Sequence, residues 1–349
     1  MLTDRVLNRT LLQRQHLLRR AAMSPLEMTE HLLGLQAQNP LPPYLSLWSR
    51  VDGFDPHELS GLLERREVVR IVLMRGTIHL VPAADCMPLR RFVQEALEKQ
   101  LRGTPFGKRT AGLPYDRLAA AGRAALREEA LTPKALGLTL AEHWPDQEPG
   151  DLSNTVRSLL PLLQVPPRGL WQRSGGPRYR TAEDWLGRDL PETVDPAPLV
   201  RRYLRAFGPA TAADVTTWSG VTGMAEVLAS LREELVEHRD ERGRRLVDLA
   251  GLTLADGDTP APVRLLGEYD NLWLSHADRA RVTDPERRGR WMGANGGMGR
   301  TVFVDGYLEG LWRTAPSGAV DVELFRRLTR EEREQLDVEV AAVQELLAK

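Results

Sequence analysis

The sequence predicts a helix-rich α+β chain in which helices followed by a β-hairpin occur three times, before a small β-rich module and a terminal helix. Three observations predict it. Apolar residues recur at helical spacing behind Ser, Thr or Asp caps. Short strand-like runs broken by Gly-containing turns follow each helical stretch. Proline-containing acidic linkers at 187–198 and 255–262 separate what lies on either side. The 349 residues suit two or three domains, and 42% hydrophobic with 27% charged residues is an ordinary globular composition, not that of a disordered chain.

The elements follow in order. Thr3-Asp4 opens a helix with Val6, Leu7, Leu11, Leu17 and Leu18 as its apolar set. Ser24-Pro25-Leu26-Glu27 opens a second, with Ser as cap, Pro in the first helical position and Glu three after the cap; Leu32, Leu33 and Leu35 continue it. Pro40, Pro42 and Pro43 exclude regular helix there. Asp55-Pro56-His57-Glu58 starts a third, burying Leu59, Leu62 and Leu63. Residues 68–73 read as a strand, Arg75-Gly76 as the turn and 77–81 as the return strand. Helices closed by a hairpin are the layout of a winged helix.

The pattern recurs twice. Helices are predicted from Asp116 to about Glu129, from Thr132-Pro133 to about Trp144 and from Ser153 to Leu163, with 145–151 a loop and 169–173 and 178–181 a hairpin. The third copy has helices at 198–207, from Thr211 to near Gly220 and at 224–234, then a hairpin of 235–238 and 244–247. The spacing thus predicts three tandem winged-helix units at 1–110, 111–190 and 191–255. In 256–349, short strands are expected at 263–266, 301–304, 310–312 and 320–322, and Thr329-Arg330-Glu331-Glu332 is a capping box opening a helix to Leu347. Trp171 and Trp218 read as core. The helix from Ser153 is too rich in leucine to read a DNA groove and is expected to be scaffold.

Composition excludes several functions. No run of about 18 apolar residues exists to span a membrane. The first residues lack the apolar stretch of a signal peptide. The single Cys86 excludes intrachain disulfides and a Cys-rich zinc site, which favours the cytoplasm. Neither a metalloprotease HExxH, a GxSxG elbow nor a phosphate-binding GxxxxGK[ST] is present. The glycine-rich 293–299 lacks dinucleotide spacing. His276 and Asp278 form the one close His–carboxylate pair, too few ligands for zinc; a structural hydrogen bond is the better reading, with an auxiliary role the alternative. No metal or cofactor is expected.

The net charge of −1 argues against a simple, highly basic nucleic-acid binder, but the average hides an asymmetry. Residues 1–140 carry 20 Lys and Arg against 14 Asp and Glu, leaving the rest of the chain net acidic. Of the basic residues 43 are Arg, a bias that suits phosphate contacts and that a GC-rich genome would also produce. Arg70, Arg75, Arg90, Arg91, Arg102, Lys108 and Arg109 are candidate phosphate contacts; a salt-bridged surface is the alternative.

The most unusual stretch is Gln36-Ala37-Gln38-Asn39-Pro40, with three amides in four residues. On a helix, Gln36 and Gln38 would point about 200° apart; if the helix unwinds near Leu35, they can point one way. A polar helix end is the other reading. The basic, glycine-rich stretch from Arg287 to Arg300 reads as a hairpin probing a DNA groove, or as a solvated loop.

Leu35-Gln36-Ala37-Gln38, with Arg75-Gly76-Thr77-Ile78-His79-Leu80, the stretch 165–171, Tyr269-Asp270-Asn271-Leu272 and Ser275-His276-Ala277-Asp278-Arg279, resembles the AlkZ-type winged-helix DNA glycosylases, in order and across nearly the whole chain. Gln38 places it with the Gln-x-Gln branch. The resemblance implies three winged helices around duplex DNA and a β-barrel-like C-terminal part. It implies excision of cationic N-alkylated purines, of the N7-alkylguanine and N3-alkyladenine type, with unhooking of interstrand crosslinks in some members. It implies that Gln36 and Gln38 are catalytic, and that the 287–300 hairpin approaches the minor groove. DNA contacts are then expected from Arg75, Arg287, Arg288, Arg290, Asn295, Gly296, Gly297 and Arg300. A glutamine amide is no general base, but two can hold a water in line with the anomeric carbon when the leaving group already carries positive charge. No lysine adjoins the pair in sequence, so no lyase step is expected. The expected enzyme is a cytoplasmic, nucleoid-associated monomer acting on damaged duplex DNA. The alternative is a non-catalytic winged-helix DNA-binding or regulatory protein, and the glutamine pair discriminates between them.

Overall fold

Caps and prolines set the helix starts of the N-terminal part: α1 (Asp4–Arg14), α2 (Pro25–His31), β1 (Leu35–Gln36), α3 (Pro42–Trp48), α4 (Pro56–Glu64), β2 (Val68–Val72), β3 (Ile78–Pro82), α5 (Ala83–Gly103) and α6 (Pro105–Arg109). The structure is a computed structural model and describes residues 1–293 and 298–349. Thr3 caps α1, and Ser24 with Glu27 makes the capping box of α2. Two expectations are corrected. The second helix stops at His31, because Leu33 and Gly34 turn into the left-handed region (φ 55° and 95°) and release Leu35 into a strand. Pro42 and Pro43 start α3 instead of excluding helix, since the first helical positions need no N–H. The 21-residue α5, packed against β2 and β3, lies where no element was predicted.

The next elements are α7 (Tyr115–Ala125), α8 (Pro133–Ala141), α9 (Pro149–Leu159), β4 (Leu162–Gln164), β5 (Tyr179–Thr181) and α10 (Ala182–Leu186). The expected strand at 169–173 is a run of turns; the partner of β5 is β4. Pro161 explains the shift: it cannot continue α9 and biases Leu160 to extended backbone (φ −100°, ψ 150°), so residues 162–164 leave the helix as a strand. β4 also pairs with β2, Arg70 opposite Gln164. The two expected hairpins therefore merge into one antiparallel sheet of order β1-β3-β2-β4-β5. Leu152 and Val156 of α9 are buried against α7 and α8, and Trp171 and Trp218 are core residues.

Then come α11 (Ala197–Phe207), α12 (Ala212–Ser219), α13 (Met224–Ser230), β6 (Leu235–Arg239) and β7 (Arg245–Leu249), close to the expected positions. The Thr211–Asp214 box opens α12 and Gly220 (φ 76°) closes it. The C-terminal part holds β8 (Arg264–Leu266), α14 (Asn271–Leu274), α15 (Arg288–Trp291), β9 (Arg300–Val304), β10 (Tyr307–Thr314), β11 (Val320–Leu324) and α16 (Arg330–Ala348). Its strands form an open antiparallel sheet, β11-β10-β9-β8, with α16 against β8; among the described residues no strand closes it into a barrel, which corrects the barrel-like expectation. Residues 287–293 are not a hairpin strand either. Asp284 accepts from the Glu286 N–H and Pro285 starts a helical turn that leads into α15; among the described residues Met292 then bridges antiparallel to Met298, and the hairpin tip expected between them lies outside the described residues.

Buried ion pairs tie the far ends of the chain together. Arg14 grips Asp248 through both guanidinium nitrogens at 2.7 and 2.8 Å. Arg50 does the same to Asp270 at 2.7 and 2.8 Å, both side chains fully buried. Removing one partner of such a pair strands a buried charge. Asp270→Ala is expected to cost about 3–5 kcal/mol in urea unfolding with the m-value unchanged; a loss below about 1 kcal/mol would show that Ser46 and Gln15 alone satisfy Arg50.

Candidate active site

The site is built on the edge strand β1. Leu35 pairs with Leu80 and Gln36 with His79. The turn that feeds β1 requires Gly34: a Cβ there would sit 2.5 Å from Val81 Cγ1 and 2.9 Å from the Leu80 carbonyl oxygen. Asn271, from the start of α14, donates its side-chain amide to the carbonyls of Leu32 and Gly34 at 3.3 and 2.9 Å. The C-terminal part thus holds the entry to the strand.

The ladder continues for half a step. The Ala37 N–H donates to the Ile78 carbonyl at 2.7 Å, but the reciprocal bond of a narrow antiparallel pair is not made. The Ile78 N–H instead donates to Gln38 Oε1 at 3.2 Å, and the Ala37 carbonyl accepts from Arg70 Nη2 at 2.8 Å. Gln36, the last residue of β1, and Gln38, in the bend that follows, flank the fully buried Ala37, and both amide oxygens are held by donors of the β2–β3 hairpin. Gln36 is 6% exposed, while Gln38 is open to solvent.

Gln36 Oε1 accepts from Arg75 Nη2 at 3.0 Å. Arg75 and the Ile78 N–H can only donate, so both amides have a defined orientation: oxygens held, Nε2 groups facing away. Among the described residues neither Nε2 has a protein partner, and no carboxylate hydrogen-bonds to either glutamine. Arg75 Nη1 also donates to the Trp218 carbonyl, and Nη2 lies 3.3 Å from His79 Nε2. His79 Nδ1 is 3.0 Å from the Thr77 carbonyl, which can only accept; Nδ1 therefore carries the proton and Nε2 accepts from Arg75. Burial first, and then Arg75, pushes His79 down to about 3, so the ring is neutral. Burial, with nearby Arg279 second, pushes Arg75 down to about 10.

A family model described as DNA glycosylase AlkZ-like matches residues 29–346. The chain belongs to the AlkZ-like DNA glycosylase family. It is a DNA glycosylase, an enzyme of DNA repair, and its substrate is DNA. Among solved structures, the Streptomyces sahachiroi DNA glycosylase AlkZ shares its fold, with a TM-score of 0.83 at 22% identity over 99% of this chain and 97% of that one. No curated protein matches the sequence.

The glycosylase brings together Gln36, Gln38 and Arg75, with His79 and Arg70 beside them. Arg75 is half-buried, and its guanidinium is directed onto Gln36, His79 and the Trp218 carbonyl. Arg70 and Arg90 are corrected as phosphate contacts: both are buried, and Arg90 donates to the Ser158 and Leu160 carbonyls. Arg109 is exposed and pairs with Asp151, at 2.5 and 2.7 Å, while Arg102 and Lys108 are exposed. On the C-terminal part, Arg287 donates to Glu309 and the Leu308 carbonyl, Arg290 pairs with Glu323 over the Phe325 ring, and Arg300 bridges Glu268 and Thr314. Asn295, Gly296, Gly297 and the Arg288 side chain lie outside the described residues. His276 is a buried structural group: Nε2 donates to the Phe207 carbonyl at 3.1 Å and Nδ1 meets Ser275 Oγ at 3.0 Å. Asp278 pairs with Arg242 and Arg244. Among the described residues no helix is long and apolar enough to cross a membrane, and no group of His, Cys, Asp and Glu could hold a metal ion.

The buried histidines make stability pH-dependent. His79 and His276 sit at about 3 and His16 at about 4, chiefly through burial, against 6.5 for an ordinary ring. The unfolded chain binds protons that the folded chain refuses, so this contribution is complete above about pH 6.5 and is lost as pH falls toward the folded values. Unfolding free energy measured from pH 7 to 4 is expected to fall, with a shallower slope in His79→Gln. An unchanged slope in that variant would contradict the neutral, buried His79.

Proposed function

We propose that the glycosylase hydrolyses the N-glycosidic bond of cationic N-alkylated purines, with Gln36 and Gln38 holding the attacking water. The observation that carries this reading is the pair of neutral amides, each oriented by an obligate donor, at the end of an edge strand. Each Nε2 can donate to the water, and each Oε1 keeps a second lone pair to accept from it. Held in line, the water adds to C1′ as the C1′–N9 bond breaks. The bonding electrons leave with N9 and neutralise the ring cation, so the base departs without protonation. The water's proton passes to bulk solvent. Nothing in this step needs a group that titrates near neutrality.

In the same reading, the three helix-and-hairpin regions at 1–110, 111–190 and 191–255 act as winged-helix units around duplex DNA, and the stretch from Arg287 to Arg300 approaches the duplex. The protein acts as a monomer near the nucleoid, and bulky crosslinked purines fit the same chemistry, since their ring carries the same charge. Arg287, Arg290 and Arg300 would exchange their carboxylate partners for phosphate on binding.

Single-turnover release of N7-methylguanine from duplex DNA tests this. Gln36→Ala and Gln38→Ala are each expected to lose at least about tenfold, and uracil in the same duplex to be released far more slowly. Full activity of the double variant would remove both residues from the mechanism. The rate is expected to be flat from about pH 6 to 9; a slope of one log unit per pH unit would reveal a general base.

A further inference from the structure

We propose that Arg75 is a positioning residue for Gln36, locked in place by the C-terminal end of α12, and not a phosphate contact. This rests on the reading of Gln36 as a water-holding group. Four observations converge. First, the guanidinium touches Gln36 Oε1, His79 Nε2 and the Trp218 carbonyl, and among the described residues no carboxylate pairs with it. Second, the Trp218 carbonyl belongs to the last turn of α12, whose final carbonyls have no partner within the helix. The negative end of the helix dipole supplies the counter-charge that a carboxylate would otherwise provide. Third, Arg75 holds a left-handed backbone (φ 57°, ψ 18°), costly for a residue with a Cβ and maintained only where the surroundings impose it. Fourth, Gly220, which closes α12, lies so close that a Cβ there would be 3.2 Å from the Arg75 nitrogen. The turn between β2 and β3 is therefore seated directly on the end of α12.

The consequence is chemical. A carboxylate at this position would bind a proton or act as a base. A helix end cannot titrate, so the Gln36 amide keeps one orientation across the working pH range. Donation from a cation to Oε1 also polarises the amide and strengthens Nε2 as a donor to water. His79, neutral with its proton on Nδ1, accepts from the same guanidinium nitrogen and fixes its plane.

The experiment compares Arg75→Gln and Arg75→Lys, alone and with Gln36→Ala, on duplex DNA carrying N7-methylguanine. At saturating protein, Arg75→Gln is expected to lose about 10- to 100-fold in single-turnover rate, the size of a lost charge-assisted hydrogen bond. Affinity for undamaged duplex and its salt dependence should change less than about twofold. Arg75→Lys, which keeps the charge but not the fork, should recover part of the rate. In the Gln36→Ala background, Arg75→Gln should cost nothing further.

Weaker duplex binding, with the slope of log K against log salt reduced by about one and the saturated rate intact, would identify a phosphate contact and overturn the proposal. An equal rate loss in both backgrounds would overturn it too. If Gln36→Ala alone keeps full activity, the water-holding reading fails on its own terms. The Arg75–Gln36 bond is then tested by the side-chain amide resonances of Gln36 in a ¹⁵N-labelled sample. They should move in Arg75→Lys while those of Gln38 stay; unmoved Gln36 resonances would overturn the proposal even where Arg75→Gln fails to fold.

Discussion

The half-made ladder step between Ala37 and Ile78 is the point on which the site depends. A complete step would extend β1 through Gln38 and commit the backbone to regular pairing. Here Arg70 takes the Ala37 carbonyl and the Gln38 side chain takes the Ile78 N–H, so the strand ends where its side chains are needed. Every region contributes to holding this arrangement. Asn271 fixes the turn before β1 from the C-terminal part, and α12 seats Arg75 from the third helical region. Gly169, from the turns after β4, closes over the Arg70 stem, where a Cβ would lie 2.7 Å from Arg70 Cδ. Two flexible glutamines acquire fixed amides through donors of one hairpin, which other regions of the chain hold in place.

Arginine is the material of this scaffold as much as of its surface. Arg9, Arg50, Arg70 and Arg90 are fully or almost fully enclosed, and each donates to backbone carbonyls or side-chain oxygens, although among the described residues Nε of Arg50, Arg70 and Arg90 and Nη1 of Arg90 have no hydrogen-bond partner. Five N–H groups in a planar fork can satisfy several carbonyls that a non-ladder backbone leaves open. The excess of basic residues in 1–140 is therefore partly internal. Burial pushes Arg70 and Arg90 to about 10, still charged at neutral pH, so their field acts inside the protein instead of at a phosphate surface.

Much of the fold was legible because its signals are local. The boxes at Ser24, Thr211 and Thr329 and the caps at Thr3 and Asp55 mark helices that exist, and the hairpins at 68–81 and 235–249 follow from β-branched residues and a Gly turn. What failed included one local element, the helix α5, but was otherwise mostly non-local or dependent on a proline. Pro161 moved a strand from 169–173 to Leu162–Gln164, and pairing of β4 with β2 joined two hairpins that sequence spacing would keep apart. In the open C-terminal sheet β9, β10 and β11 are joined by short turns, and it is the pairing of β8 with the distant β9 that no periodicity encodes. At the site, the pairing of amides could be seen in Gln36-Ala37-Gln38 and in its resemblance to a family motif. The role of Arg75 could not, because the Trp218 carbonyl that holds it is 143 residues away.

The central claim is that both amides hold one water at the anomeric carbon. A structure of the protein bound to duplex DNA carrying a cationic 1′-aza-ribose, which mimics the oxocarbenium centre, measures this directly. The account predicts one ordered water within about 3 Å of both the Gln36 and Gln38 amides and facing the 1′ position. A 1′ position turned away from both glutamines, or a water held by other groups, would contradict it.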